Sequence, residues 1–192
     1  MRLWTIQPPE VLDIIEKTGK FICDPEKSYW KDDEYFQRAY SWMMAQMYLH
    51  NITRPKNALS PIWAWHTHNW KHKKPDLRRS EFGRRGKKYV CIELEIPDNK
   101  VLLSDHYGWH CVLNNDYNNP ARTEEKWEIL NDRFESIRQG YVRELVKIAS
   151  WDKIFDVEPF ENEFVSNGKY IQAVFWEIKK ENIIKVQEFT AR

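Results

Sequence analysis

The sequence predicts a single α+β domain, with helices inserted between the strands of a mixed or antiparallel sheet. Short segments with the alternating or β-branched pattern of strands are separated by segments with helical spacing. A chain of 192 residues can bury a core of its own without disulfides or a metal. No repeat, low-complexity linker or shift in composition divides the chain, so residues 1–192 are predicted to form one domain.

The first half of the chain predicts three strands and two helices. Pro9 suits the first turn of a helix and Gly19 suits its end. In the second helix, Tyr35, Ala39 and Met43 recur at helical spacing. The predicted elements are a strand over 3–7, a helix over 10–18, a strand over 20–23, a helix from Asp32 or Asp33 to about His50, and a strand over 61–66.

The second half predicts four further strands and two helices. From Tyr89 to Ile96, apolar and polar residues alternate, as expected of a half-buried strand. Thr123 can cap a long helix whose apolar residues recur every three or four positions up to Ile148. The predicted elements are strands over 89–96 and 100–103, a short helix over 107–113, the long helix, and a closing pair of strands over 170–178 and 183–189.

Positive charge is concentrated in one segment, residues 66–88, which we call the basic segment. It holds nine Lys or Arg against two acids, a local charge of +7, whereas the whole chain carries +1. Trp63, Trp65 and Trp70 accompany it, and aromatic rings beside cations suit stacked bases and phosphates. The alternative is a solvated loop that keeps the protein soluble. We predict contact with RNA or DNA through Lys71, Lys73, Lys74, Arg78, Arg79, Arg84 and Arg85.

The cysteines and the hydropathy pattern predict a cytoplasmic protein without a membrane partner. Cys23, Cys91 and Cys111 are odd in number and far apart, which fits free thiols in a reducing compartment. No basic-then-apolar leader begins the chain, and no run of about 18 apolar residues occurs in it.

Several classes of site are disfavoured by the motifs. The six glycines include no G-x-G, so a phosphate-binding loop and a dinucleotide fingerprint are not predicted. His106 and His110 have the spacing of two metal ligands, but the sequence HYGWH lacks the glutamate of the zinc-protease motif. We therefore predict no metal site and expect these histidines to form hydrogen bonds or stack.

The motifs RLWTIQ, PIWAW, KKPDLR, LEIPDNKVLLSD, WHCVLNN and QAVFWEI resemble an uncharacterised bacterial family, domain-of-unknown-function family 3841. This resemblance spans almost the whole chain and supplies no established activity. At the level of fold, the chain also resembles the ADP-ribosyltransferases, which use NAD and include enzymes that modify nucleic acid. Those proteins open with a strand that carries Arg or His, continue through a helix followed by Gly, and end in a strand pair that bears a catalytic Glu.

The second resemblance implies a site for NAD, with no metal, on the opening strand. Arg2 lies in that strand, and residues 10–19 supply the helix and the glycine. Arg2, Thr5 and Gln7 would then face NAD. Trp65 would stack on the nicotinamide or the adenine.

The same resemblance implies the catalytic residues. Arg2 is one of them, and the closing strands supply the other. Gln172 occupies the position of the catalytic glutamate, unless Glu177 or Glu163 takes that place. Because an amide cannot act as a base, the acceptor would need no base, or the site is displaced, or the protein binds without catalysis.

The first functional hypothesis is therefore an NAD-dependent, ADP-ribosyltransferase-like enzyme that acts on nucleic acid, as a toxin or a phage-defence effector. The first alternative is a non-catalytic module that binds nucleic acid or a nucleotide through the same Trp, Lys and Arg surface. The second alternative is a protein-interaction subunit whose basic segment binds an acidic partner, such as an antitoxin.

Overall fold

A six-stranded antiparallel sheet forms the centre of the fold in the computed structural model, which describes residues 1–28 and 31–192. The strands are β1 (Arg2–Gln7), β2 (Lys20–Ile22), β3 (Ile62–His68), β4 (Lys88–Glu95), β5 (Leu102–Asp105), β6 (Phe160–Glu161), β7 (Ser166–Asn167), β8 (Tyr170–Phe175), β9 (Glu177–Lys179) and β10 (Ile183–Thr190). The order in the large sheet is β10-β4-β1-β3-β8-β5. Two small ribbons pair β2 with β9 and β6 with β7, so the α+β class predicted from the sequence is confirmed.

Five helices surround the sheet in the described part of the chain: α1 (Glu10–Thr18), α2 (Glu34–Leu49), α3 (His106–Asn114), α4 (Glu124–Ser136) and α5 (Tyr141–Ser150). Local signals fix several of their ends. Gly19 ends α1 with a φ of 79°, in the left-handed region that favours glycine. Asp33 begins α2, because its side chain accepts hydrogen bonds from the first-turn N–H groups of Tyr35 and Phe36.

The two faces of the sheet have different covers. On one face, Leu3, Ile92 and Leu94 pack with Val11 and Ile15 of α1 in the largest buried cluster. The other face is covered at its β5 edge by α2, α3 and the 3-10 turn Trp151–Phe155. Towards β10 the cover of this second face is the basic segment, where Leu77 packs with Trp4 and Cys91. No described helix is long and apolar enough to cross a membrane.

The prediction of one long helix up to Ile148 was wrong, since the chain breaks between α4 and α5. Gly140 has a φ of 138°, which side chains with a Cβ rarely adopt, and it precedes the first turn of α5. Arg143 stabilises the break, because its Nη1 donates to the last carbonyl groups of α4 and to that of Ile137. The apolar spacing continues across two separate helices.

The two predicted closing strands occur as β8 and β10, but the prediction that they form a pair was wrong. β8 lies between β3 and β5, whereas β10 lies at the far edge beside β4. β9 leaves the large sheet to pair with β2, and the 3-10 turn Lys180–Asn182 then leads into β10. Three strands therefore separate the two segments that sequence proximity had placed together.

Candidate functional site

One row of paired residues crosses the whole sheet on the face opposite α1, and we call it the polar row. Successive side chains of a strand point to opposite faces, so residues paired across neighbouring strands share a face. Unlike the aliphatic residues of the α1 face, the members of this row are charged, aromatic or polar. From β10 to β5 they are Lys185, Glu93, Trp4, Trp65, Gln172 and Ser104.

Aromatic and imidazole rings surround the β3 position of the polar row, and we call them the Trp65 cluster. The centroid of the Trp65 ring lies 5.2 Å from that of His106 and 5.5 Å from that of His68. Tyr107 packs edge-on against Tyr170 at 5.7 Å. The members are Trp65, His68, Phe82, His106, Tyr107 and Tyr170. The cluster therefore joins β3 and β8 to the start of α3 and to the basic segment.

Buried polar atoms without hydrogen-bond partners gather at this cluster. Ser104 Oγ, His106 Nδ1 and Gln172 Oε1 are buried, and none of them has a partner among residues 1–28 and 31–192. Proteins pair nearly all of their buried polar groups, so such atoms call for an explanation. Because Gln172 pairs with both Trp65 and Ser104 across the sheet, the unpartnered groups lie around one place. An ordered water or a polar group of a ligand at this place would satisfy them.

Charged groups of the basic segment lie at the rim of the cluster. His68 Nε2 is 3.2 Å from Glu81 Oε1, and Arg79 Nη2 is 3.1 Å from the other oxygen of Glu81. A hydrogen bond from Arg79 to Tyr170, and then the charge of Glu81, raise the pKa of the Arg79 guanidinium. Glu81 therefore brings a carboxylate next to the aromatic rings.

The structure brings together two of the residues predicted to form the NAD site, Trp65 and Gln172, which are direct partners in the sheet. Arg2 lies on the same face, but its Nε is 3.4 Å from Glu93. Thr5 is buried and donates to the carbonyl oxygen of Trp63 at 2.7 Å. Gln7 donates to Thr5 Oγ1 at 2.8 Å, and both side chains belong to the α1 side of the sheet.

The two glutamates considered as alternatives to Gln172 lie elsewhere. Glu177 is in the β2–β9 ribbon, where its carboxylate is 3.3 Å from Lys20 Nζ and 3.7 Å from Lys179 Nζ. Glu163 is exposed in the connection between β6 and β7. Neither carboxylate belongs to the Trp65 cluster.

Sequence reasoning did not single out Ser104, His106 or Glu81 as members of this site. Ser104 and His106 flank Asp105 at the junction between β5 and α3. Ser104 and His106 could have been predicted as site residues, because they are polar and lie where a predicted strand meets a predicted helix. Glu81 had no such signal, because its position depends on how the basic segment folds back over the sheet.

The basic segment is anchored to the sheet while its cations stay exposed. Leu77 and Phe82 are buried, and His72 Nε2 donates to the carbonyl oxygen of Arg2 at 2.8 Å. Arg78 pairs with Asp76, and Arg79 pairs with Glu81. The remaining predicted nucleic-acid contacts are exposed and have no ion pair within the described ranges: Lys71, Lys73, Lys74, Arg84 and Arg85.

Asp105 positions the α3 side of the site. Its Oδ1 accepts from the N–H of Gly108 at 2.9 Å, and its Oδ2 accepts from the N–H of Gly168 at 3.1 Å. We expect Asp105→Ala to lower the free energy of unfolding by about 2–4 kcal/mol, because two buried N–H groups lose their acceptors. Urea denaturation would measure the change. The control is Asp33→Ala, which removes an exposed helix cap and should cost about 1 kcal/mol; equal losses would contradict this prediction.

His66 should make the fold sensitive to acid. Its ring stacks on that of His72 at 4.1 Å, and burial, followed by the neighbouring His72, lowers the pKa of His66 from 6.5 to about 4. The unfolded chain therefore binds a proton more readily, and stability should fall as the pH drops from 6.5 towards 4. After allowance for solvent screening we expect a loss of about 1 kcal/mol.

Urea denaturation across this pH range would measure that loss. His66→Asn should flatten the dependence on pH, whereas His50→Asn, at an exposed position, should leave it unchanged. The same slope in the wild type and in His66→Asn would rule out His66 as its source.

Comparison with known families matches residues 2–184 to the family described as "Domain of unknown function (DUF3841)". The matched residues include the Trp65 cluster and the whole basic segment. No curated protein and no solved structure gives a significant match to the chain. The chain therefore belongs to the DUF3841 family, as its sequence motifs predicted.

Proposed function

We propose that this protein is an NAD-dependent, ADP-ribosyltransferase-like enzyme that acts on nucleic acid. The observation that supports the proposal is the polar row at the Trp65 cluster. There the buried oxygens of Gln172 and Ser104 lie beside an aromatic ring and have no hydrogen-bond partner in the described part of the chain. Exposed cations lie in the basic segment that covers the same face. A ligand with a planar ring, ribose hydroxyl groups and phosphates would match these groups.

Trp65 of the cluster and its neighbours in the polar row, Gln172 and Ser104, have groups that suit the ring and the ribose of NAD. Trp65 is half-buried, and an indole offers a face on which nicotinamide or adenine can stack. Gln172 Oε1 can accept a hydrogen bond from a ribose hydroxyl, and Ser104 Oγ can donate or accept one. When bound, NAD would supply an activated ribose with nicotinamide as its leaving group.

We assign to a carboxylate the stabilisation of the positive charge that develops on the ribose as nicotinamide leaves. The geometry favours Glu81 over Glu177, because Glu81 is 3.2 Å from His68 of the cluster and Glu177 is held by lysines of another ribbon. Gln172 would orient the ribose without exchanging a proton, since an amide does not titrate. Arg79, which hydrogen-bonds Tyr170, would face the phosphates.

The basic segment would hold the acceptor. Five of its predicted contacts are exposed and form no ion pair with the described residues, and they can contact successive phosphates of RNA or DNA: Lys71, Lys73, Lys74, Arg84 and Arg85. Such contacts are the sequence-independent part of nucleic-acid binding. Modification of cellular nucleic acid would make the protein a toxin or a phage-defence effector. The free thiols of Cys23, Cys91 and Cys111 support a cytoplasmic location.

The test is an assay of NAD consumption with defined acceptors. Purified protein would be incubated with NAD labelled in the nicotinamide, together with RNA, single-stranded DNA or duplex DNA. We expect nicotinamide release that depends on the acceptor, and an ADP-ribose adduct on the nucleic acid by mass spectrometry. Release at the background rate with every acceptor, from protein shown to be folded, would refute the proposal.

A second candidate, a binding module without catalysis, is favoured by the neutral side chain of Gln172. No carboxylate is present at the β8 position of the polar row. This candidate would bind single-stranded nucleic acid in a salt-dependent way and would release no nicotinamide. An acidic protein partner at the same surface would be recognised by its competition with the oligonucleotide.

A further inference from the structure

A cleft of about 470 Å³ opens beside the Trp65 cluster, between α3, the start of α4 and the segment before β8. Small-molecule sites typically have volumes of about 300–1,000 Å³. Tyr107 belongs to both sites, since it lines the cleft and packs on Tyr170 of the cluster. None of the residues predicted from the sequence as catalytic, NAD-binding or nucleic-acid-binding lines this cleft.

Hydrogen bonds hold the walls of the cleft in place. Asp105 ties the first turn of α3 to Gly168, just before β8. Asn119 Nδ2 donates to the carbonyl oxygen of Trp127 at 2.9 Å, and Asn162 Nδ2 donates to that of Arg122 at 2.7 Å. Side chains from three separate segments therefore hold the walls together.

Three aromatic rings in the lining are only half covered. Trp127 is 40% exposed, Phe164 is 42% exposed and Tyr107 is 52% exposed. Trp127 and Phe164 meet edge to face, with their centroids 6.3 Å apart. Rings that keep much of their surface accessible inside a concave site are suited to stacking against a planar base.

The formal charges that line the cleft balance, with Asp105 and Asp156 against Arg122 and Lys153. Arg122 pairs with Asp156 at 3.1 Å, and both oxygens of Asp105 accept backbone N–H groups. Lys153 also lines the cleft, and no acid in the described ranges pairs with it. Lys153 is therefore a cation in the lining with which an anionic group of a ligand can pair.

We propose that this cleft binds a nucleoside monophosphate unit, with its base against Trp127 and Phe164 and its phosphate at Lys153. A free mononucleotide and the terminal nucleotide of a single strand share this chemistry. The inference goes beyond the proposed enzymatic function, because it requires neither NAD nor turnover.

Isothermal titration calorimetry in the absence of NAD would test the inference. The probes are the four ribonucleoside monophosphates, and trinucleotides with and without a terminal phosphate. We expect measurable binding by the wild-type protein, weakened about fivefold or more by Trp127→Ala and by Lys153→Ala. Trp127→Phe should retain most of the affinity because it keeps a ring.

The controls remove a ring and a cation outside the cleft. Tyr141→Ala changes an exposed tyrosine of α5 and Lys100→Ala an exposed lysine, and both should bind as the wild type does.

Tighter binding of phosphorylated trinucleotides would identify a strand terminus as the ligand, and tighter binding of mononucleotides would identify a free nucleotide. Absence of binding by every probe would overturn the inference, as would unchanged affinity in both cleft variants whose thermal melting shows them folded. NAD turnover by a protein that binds none of these probes would support the enzymatic proposal and contradict the nucleotide site in the cleft.

Discussion

Gln172→Ala is expected to lower kcat/KM for NAD by about 100-fold, because it removes a buried hydrogen-bonding group that orients the ribose. The stability of the fold should change little. Gln172 Oε1 is buried without a hydrogen-bond partner among the described residues, so truncation breaks no hydrogen bond to this oxygen. Steady-state nicotinamide release and urea denaturation of the same preparation would separate the two effects.

A second substitution at Gln172 and a control substitution at Glu177 test where the ribose binds. Gln172→Glu places a carboxylate at the same position and should retain more turnover than Gln172→Ala. Glu177→Gln should leave kcat/KM unchanged, because Glu177 lies in the β2–β9 ribbon with Lys20 and Lys179. Wild-type turnover in Gln172→Ala, or an equal loss in Glu177→Gln, would show that the ribose site is not at the polar row.

Neutralising four cations of the basic segment should weaken nucleic-acid binding by about 100-fold or more at low salt. The variant combines Lys71→Ala, Lys73→Ala, Arg84→Ala and Arg85→Ala, all at exposed positions without an ion pair in the described part of the chain. If each cation contacts one phosphate of a single strand, the slope of log K against log salt should become shallower by about 3. Fluorescence anisotropy at several salt concentrations would measure the affinity and the slope.

The control removes the same charge elsewhere. It combines alanine substitutions at four exposed lysines, Lys17, Lys56, Lys100 and Lys126. Both quadruple variants lower the formal net charge from +1 to −3. If the control lost as much affinity as the basic-segment variant, binding would depend on overall charge and the assignment of this surface would be wrong.

Local signals predicted most of the elements well. The bounds of α1 follow from Pro9, the N-cap residue directly before it, and from the left-handed Gly19. The beginning of α2 follows from the capping side chain of Asp33. The alternation from Tyr89 to Ile96 gave both the strand β4 and its buried face. In each case the signal lies within a few residues of the structure that it specifies.

The incorrect prediction of α4 and α5 as one helix shows that the periodicity of apolar residues does not predict which helix faces are buried. Tyr141 fits the apolar pattern of a core helix, yet it is 77% exposed. Lys147 of the same helix, by contrast, is only 7% exposed. Apolar spacing predicts which residues share a helix face, but the neighbouring elements decide whether that face is covered.

The α+β class, the positions of most helices and strands, and the charge concentrated in the basic segment could all be predicted from local sequence patterns. The location of the site could not, because it depends on tertiary contacts. Trp4, Trp65 and Gln172 come from distant parts of the chain, and antiparallel register places them in one row. Register depends on long-range pairing and on which face packs against α1, so a shift of one residue would send Gln172 to the opposite side of the sheet. Glu81 joins this site only because the buried Leu77 and Phe82 fold the basic segment back over the sheet.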